Sequence, residues 1–275
     1  IIPGYSCVAL ANAVLSTGAM PVPTDIDPET LNITEDTVKT CITKNTAGII
    51  AVHTFGLPAE ITWLRGFGVP VIEDCAHCFG IQNQHGRIGS LGDVSILSFY
   101  ATKLVGGGEG GMVISRNKAI CDFVAENRDY TDKPASASRM NEKMHNIEAA
   151  LSLAQMKRLP KMIAAREEIA QFYQQELAPL VPHKLRLPRQ SNSRVWYRYA
   201  IRLNRPADEI VQVLRKEEIY TDLPVWDWTT ANANLMESKN AYQCILSLPC
   251  YPTLNRDEQS RVIQSLYKYL EHGNI

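Results

Sequence analysis

Apolar residues in the first half of the chain fall in short unbroken runs. The clearest are Ala47 to His53 and Val69 to Asp74, the second ending in two carboxylates, Glu73 and Asp74. Runs of this length and continuity predict strands covered on both faces, as in a parallel sheet. Val94 to Phe99 and Met112 to Ile114 predict two more strands, and Ile1 to Pro3 reads as the end of another. Ala19 to Ile26 reads as a short strand whose two prolines predict an edge position. Helical segments lie between: Val8 to Ser16, with Ser6 as N-cap and Gly18 beyond its end, Thr34 to Ile42, and Ala59 to Phe67. Strands alternating with helices predict an α/β fold, a mostly parallel sheet with flanking helices.

The pattern changes after Arg128. Arg128 to Asn141 is polar and aperiodic and reads as a loop. Asn146 to Leu177 carries Ile147, Leu151, Leu159, Ile163, Ile169, Phe172 and Leu177 at helical spacing, and Pro160 predicts a kink or a split. Beyond Pro182, Val195 to Leu203 alternates like a half-exposed strand. Ala207 to Glu217 reads as a helix and Ile245 to Leu248 as a strand. Asn255 to Leu270 reads as an amphipathic helix with Asn255 or Thr253 near its N-cap. We therefore expect a large domain over 1–160 and a smaller α+β domain over 161–275, bridged by the long helix.

Composition narrows the function classes. The 275 residues are 45% hydrophobic, enough for a substantial core, and 28 Lys+Arg nearly balance 29 Asp+Glu. Nothing in that balance favours nucleic acid or an anionic membrane. No apolar run approaches the ~20 residues of a membrane span, and no secretory leader is visible. Seven scattered cysteines, an odd number, argue against a disulfide framework and for a reducing, cytoplasmic setting.

The chemistry gathers around Lys103. It follows the predicted strand ending at Ser98–Phe99 and precedes the glycines 106–108, 110 and 111. Glycines there allow close backbone approach and positive φ. The loop lacks the Lys-Ser/Thr of a phosphate-binding P-loop and leads into a strand, so nucleoside triphosphate binding is not expected. Lys103 is either a solvated turn lysine or one that meets a flat ligand at the end of the sheet, where ligands of α/β sheets bind. Asp74 is either a hydrogen-bonded strand-end carboxylate or the acceptor for a cationic ring nitrogen. Cys75, His77 and Cys78 lack standard zinc spacing, and the cysteines read as small buried hydrophobes. Trp226 and Trp228 stand either as stacking residues beside a substrate or as core aromatics.

Several motifs carry a resemblance. Glu73-Asp74-x-Ala76-x-x-x-Gly80, Gly92-Asp93, Ser98-Phe99-x-x-x-Lys103 and Gly108-Glu109-Gly110-Gly111 follow one another in order. So do Pro21-Val22 to Asp27, Val52-His53-x-x-Gly56-x-Pro58-Ala59, Asn141 to Met144 with Glu148-Ala149-Ala150, and Leu248-Pro249-x-Tyr251-Pro252. Together they resemble the DegT/DnrJ/StrS-type sugar aminotransferases, pyridoxal 5'-phosphate enzymes of the aspartate-aminotransferase (type I) fold. The resemblance implies that Lys103 holds the cofactor covalently and moves the proton, and that Asp74 pairs with the pyridine nitrogen. It implies that Ala76 packs on the ring, His77 meets the ring oxygen (the family often has Gln there), and Ser98 bonds the phosphate. Asn141 would reach the site of a second subunit, in a homodimer with shared active sites. The expected partners are glutamate as amino donor and a nucleotide-linked keto sugar.

Lys143 stands where the family usually has Arg, which loses bidentate geometry. The family's Gly-Thr/Ser-x-Ala-Leu stretch, which opens a phosphate-binding helix, is expected before Ile1. Without it the large domain is incomplete and weak cofactor binding is expected. The alternative reading is then a non-catalytic binding or dimer module of the same fold, although Asp74, Ser98 and Lys103 are all present.

Overall fold

A computed structural model of the chain describes residues 1–136, 139–229 and 234–271. The strands are β1 (Ile2–Pro3), β2 (Pro23–Thr24), β3 (Ile49–Val52), β4 (Val71–Asp74), β5 (Gln82–Asn83), β6 (Gly86–Arg87), β7 (Val94–Ser98), β8 (Gly111–Ile114), β9 (Leu185–Arg186), β10 (Tyr199–Leu203) and β11 (Ile245–Leu248). The helices are α1 (Val8–Ser16), α2 (Glu35–Lys39), α3 (Ile61–Leu64), α4 (Lys118–Asn127), α5 (Asn146–Leu177), α6 (Asp208–Lys216), α7 (Met236–Cys244) and α8 (Arg256–Glu271).

The central sheet runs β3-β4-β7-β8. Its first three strands are parallel and β8 is antiparallel. The parallel pair β1-β2 lies against β3, since the amide of Ile50 donates to the carbonyl of Ile1 at 2.9 Å. The unbroken apolar runs are buried as expected: Ile49, Ala51 and Val71 have no exposed surface. The Ile49 and Val71 side chains each contribute about 1.5–3 kcal/mol relative to exposure. A second, antiparallel sheet, β11-β10-β9, packs with α6, α8 and the second half of α5 around Tyr173, Tyr199, Ile201, Leu214 and Leu266.

Three local expectations are corrected. Ser6 does not cap α1; its hydroxyl donates to the Pro3 carbonyl at 2.8 Å, and Cys7 occupies the cap position without a side-chain bond. Pro160 does not split the long helix, which runs unbroken over 32 residues. Helix α2 ends at Lys39 rather than Ile42, although its start carries the reciprocal Thr34–Thr37 capping pair. At α8 the cap is Asn255, whose Oδ1 accepts from the Glu258 amide at 2.9 Å. The start of α7 is capped from afar: Asp25, in the turn after β2, accepts from the amides of Glu237 and Ser238. Among the described residues, no helix is long and apolar enough to cross a membrane.

Candidate active site

Parallel pairing of β4 with β7 puts Asp74 opposite Ile96, so Asp74 and Ser98 close their strands at the same end of the sheet. Beyond Ser98 the chain turns at once: the Lys103 amide donates to the Tyr100 carbonyl at 2.9 Å. The glycine loop then folds back, with Gly107 donating to the Phe99 carbonyl and Phe99 to the Gly110 carbonyl. The loop packs closely on α5 at Gly107, where a Cβ would lie 2.1 Å from Ser152 Oγ and 3.2 Å from the Glu148 carbonyl oxygen.

Asp74 is buried and accepts one amide hydrogen bond, from Ala76 at 2.8 Å. Burial raises its carboxyl above the usual range, and the Ala76 amide, the Lys103 charge and His53 offset only part of that. Ser98 Oγ accepts from the Tyr100 amide at 3.3 Å. His77 lies in a stack of three rings, with Tyr197 at 4.4 Å and 15° on one side and Phe55 at 6.0 Å and 18° on the other. Its Nδ1 is buried with no hydrogen-bond partner among the described residues. Burial, then the Lys103 and Arg198 cations, hold the imidazole well below its usual pKa, so it is neutral. The Lys103 ammonium sits 5.3 Å from the Tyr197 ring centroid and the Arg198 guanidinium 5.7 Å from it.

Tyr197 arrives here because Gly56 admits the neighbouring segment. Gly56 has φ +88°, and a Cβ on it would lie 1.7 Å from the Val195 carbonyl oxygen. Its own carbonyl accepts from the Val195 amide at 3.0 Å. That contact fixes the approach of residues 195–197 to the loop carrying Phe55.

Behind Asp74, Glu73 forms a separate buried network. Its carboxylate accepts from the amides of Gly89 (3.0 Å), Leu91 (2.6 Å) and Gly92 (2.5 Å) and lies 3.2 Å from His53 Nε2. The Ala59 amide donates to His53 Nδ1 at 3.0 Å, so Nε2 carries the proton and donates to Glu73. Burial pushes the Glu73 carboxyl up, but the bonds from His53, Gly92 and Gly89 outweigh it and hold the group below its usual range. Cys75 lies within reach of this pair, and the three donor atoms fall within 4.8 Å of one another. The His53 and Glu73 atoms are already engaged, and burial raises the Cys75 thiol far above its usual pKa, so it is neutral. The arrangement is that of a hydrogen-bonded brace for the 86–93 loop.

The structure does not bring Asn141 into the Asp74–His77–Lys103 group. Asn141 is exposed and lines a separate cleft with Leu97, Phe99, Glu109 and Met144. Lys143 pairs with Asp129 at 2.7 Å. Trp228 donates from Nε1 to the Ser6 carbonyl and packs on the core, whereas Trp226 is 87% exposed. Sequence reasoning missed Tyr197, Arg198 and Phe55. The aromatic-basic cluster Trp196-Tyr197-Arg198-Tyr199 was the available signal for the first two.

The mostly parallel sheet thus carries a buried carboxylate, Asp74, and a lysine-bearing turn beyond its carboxyl edge. The chain belongs to the DegT/DnrJ/EryC1/StrS aminotransferase family, whose model matches residues 1–267. It is 37% identical to GDP-perosamine synthase of Vibrio cholerae over 199 residues, 67% of this chain and 53%, about half, of that relative. Its fold matches the aminotransferase TlmJ from Streptoalloteichus hindustanus with a TM-score of 0.89 at 27% identity, over 96% of this chain and 77% of that one. It matches NtdA from Bacillus subtilis, solved with bound cofactor PMP, with a TM-score of 0.88 at 26% identity, over 98% and 67% of the two chains. The α/β class expected from the apolar runs is thus the class of these enzymes.

Proposed function

We propose that the chain is a pyridoxal-phosphate-dependent aminotransferase that moves an amino group from glutamate to a nucleotide-linked keto sugar, in amino-sugar biosynthesis. The observation that carries this reading is the placement of Asp74 and Lys103 at one end of adjacent parallel strands, beside a neutral His77 with a free buried nitrogen. The names of the relatives, an amino-sugar synthase and an enzyme solved with PMP, support the substrate class and the cofactor.

The residues present fit the cofactor. A buried carboxylate raised by desolvation, as at Asp74, gains about 1.5–3 kcal/mol from a charge-assisted bond to a ring N⁺–H. Ala76 is small enough to leave room for a flat ring. The unpartnered His77 Nδ1 can donate to a ring oxygen, and Ser98 Oγ to a phosphate. When bound, pyridoxal phosphate supplies an electron sink for the pair left as a C–H proton departs. Lys103 would hold the cofactor and would take and return that proton. Asp74 keeps its partner nitrogen charged. Tyr197 and Phe55 flank His77, exclude water from it and fix its plane.

Two further parts of the reading concern organisation. Helix α5 contributes Leu159 to the first core and Ile169, Ala170, Tyr173 and Leu177 to the second. This supports a division into 1–160 and 161–275, with Val195, Tyr197, Ala200, Ala241, Tyr242 and Ile245 of the second part packing into the first core. Exposed Phe123, Ile147, Leu151 and Leu153 on α4 and the first half of α5 support a homodimer in which Asn141 reaches the other subunit's site. Seven unpaired cysteines support a reducing, cytoplasmic setting. Keto-sugar nucleotides assayed with glutamate test the reading: amino-sugar product that requires Lys103 is expected, and product formed equally by Lys103→Ala overturns it.

A further inference from the structure

Two adjoining cavities, about 260 and about 380 Å³, share Pro28, Arg186 and Arg202 in their walls. Arg189 and Arg194 also face the first, and Glu29 and Glu237 are the carboxylates of the two. The groove lies between the 28–31 turn of the first core and the β9-β10 sheet of the second.

Its charges are out of balance. Arg194 is 7% exposed, stacks on the Trp196 ring at 4.0 Å and spends Nη1 on the Arg189 carbonyl at 2.7 Å; its Nε has no partner among the described residues. The nearby Glu167 is occupied by Trp196 Nε1 at 2.7 Å and Gln171 at 3.1 Å. Arg202 spends Nη1 on Glu237 and Asn240, while its buried Nε and Nη2 have no partner among the described residues. Among the described residues, Arg186, Arg189 and Arg194 form no ion pair. Burial draws the Arg194 guanidinium down to about 10, as expected for a cation short of compensating charge. Uncompensated buried charge is costly, and arginine forks match phosphate oxygens bidentately.

We infer that this groove is a second anion site, which takes a phosphate-class polyanion and is separate from the Lys103 site. Phe55 forms the partition: it lines the first cavity and stacks on His77 on the other side. Arg186 and Arg202 line both chambers, so a diphosphate with one phosphate in each would meet the same two arginines. The inference does not depend on the cofactor or on the reaction assigned to Lys103.

Calorimetric titration with inorganic pyrophosphate at low ionic strength tests it, against Arg186→Gln/Arg189→Gln and Ser98→Ala variants. The two arginines are exposed, so their replacement leaves the fold intact, as a matched near-UV spectrum verifies. The wild-type chain should bind pyrophosphate, the double arginine variant about tenfold or more weakly, and Ser98→Ala like the wild type. The inference is overturned if the wild type shows no binding, if the arginine variant stays within about twofold of it, or if Ser98→Ala abolishes binding. The last outcome would assign the anion to the Lys103 end of the sheet.

Discussion

The imidazole of His77 lies nearly parallel to the ring of Tyr197, 4.4 Å away, with the Lys103 ammonium 5.3 Å from the same tyrosine. The strand-end loop after β4 and the turn after β7 are thereby tied to a residue more than ninety positions later. Tyr197→Ala should loosen His77 and admit water, lowering pyridoxal-phosphate affinity about tenfold while the fold persists. Equilibrium titration of the cofactor's visible absorbance measures this; an unchanged affinity would remove the stack from the site.

Asp74 carries a cost in the cofactor-free chain. Its folded pKa is raised, so the penalty on the fold is complete above the folded pKa and fades as pH falls from there to the unfolded value of about 3.9. Asp74→Asn should therefore raise the melting temperature of the cofactor-free protein by about 2–4 °C at neutral pH and leave it unchanged in acid. The same variant should lower turnover about a hundredfold or more, because the ring nitrogen loses its anionic partner. Calorimetry and steady-state assays read the two effects separately.

Glu73 has the opposite sign. Its folded pKa lies below the usual value, so its contribution is complete above the unfolded pKa of about 4.3 and is lost as pH falls through the folded one. Glu73→Gln sets an NH2 group against either the Leu91 and Gly92 amides or the Gly89 amide and His53 Nε2–H, and should cost about 3 kcal/mol at pH 7. Urea unfolding across pH 3–7 should show a flatter acid limb for the variant. A parallel loss at every pH would contradict the brace.

The exposed apolar face of α5 gives a test of assembly. Ile147 is 84% exposed and Leu151 lies one turn further on. Ile147→Asp/Leu151→Asp should shift the sedimentation behaviour from dimer to monomer and abolish activity at sites that need Asn141 from the other subunit. A wild-type protein that sediments as a monomer would refute the shared-site arrangement.

The buried strands were legible because Ala47 to His53 and Val69 to Asp74 have no polar alternation, which only a two-sided sheet tolerates. Asp74, Ser98 and Lys103 were legible from motif order. The ring stack was not, because its packing depends on Gly56 receiving the Val195 carbonyl, a contact between residues about 140 positions apart. Helix α7 escaped notice because its polar sequence, MESKNAYQC, shows little periodicity and its start is capped by the distant Asp25. Pro160 misled because a proline inside a long helix does not end it when both halves pack on separate cores. The basic groove stayed hidden because Arg186, Arg194 and Arg202 meet only when β9 and β10 pair.

The central claim is that Lys103, with Asp74, performs amino transfer. Its most direct test follows the amino group from ¹⁵N-glutamate in saturating pyridoxal phosphate, with a panel of keto-sugar nucleotides as acceptors. The account predicts ¹⁵N in an amino-sugar nucleotide with the wild-type chain and none with Lys103→Ala. Label transferred equally well by Lys103→Ala would contradict it.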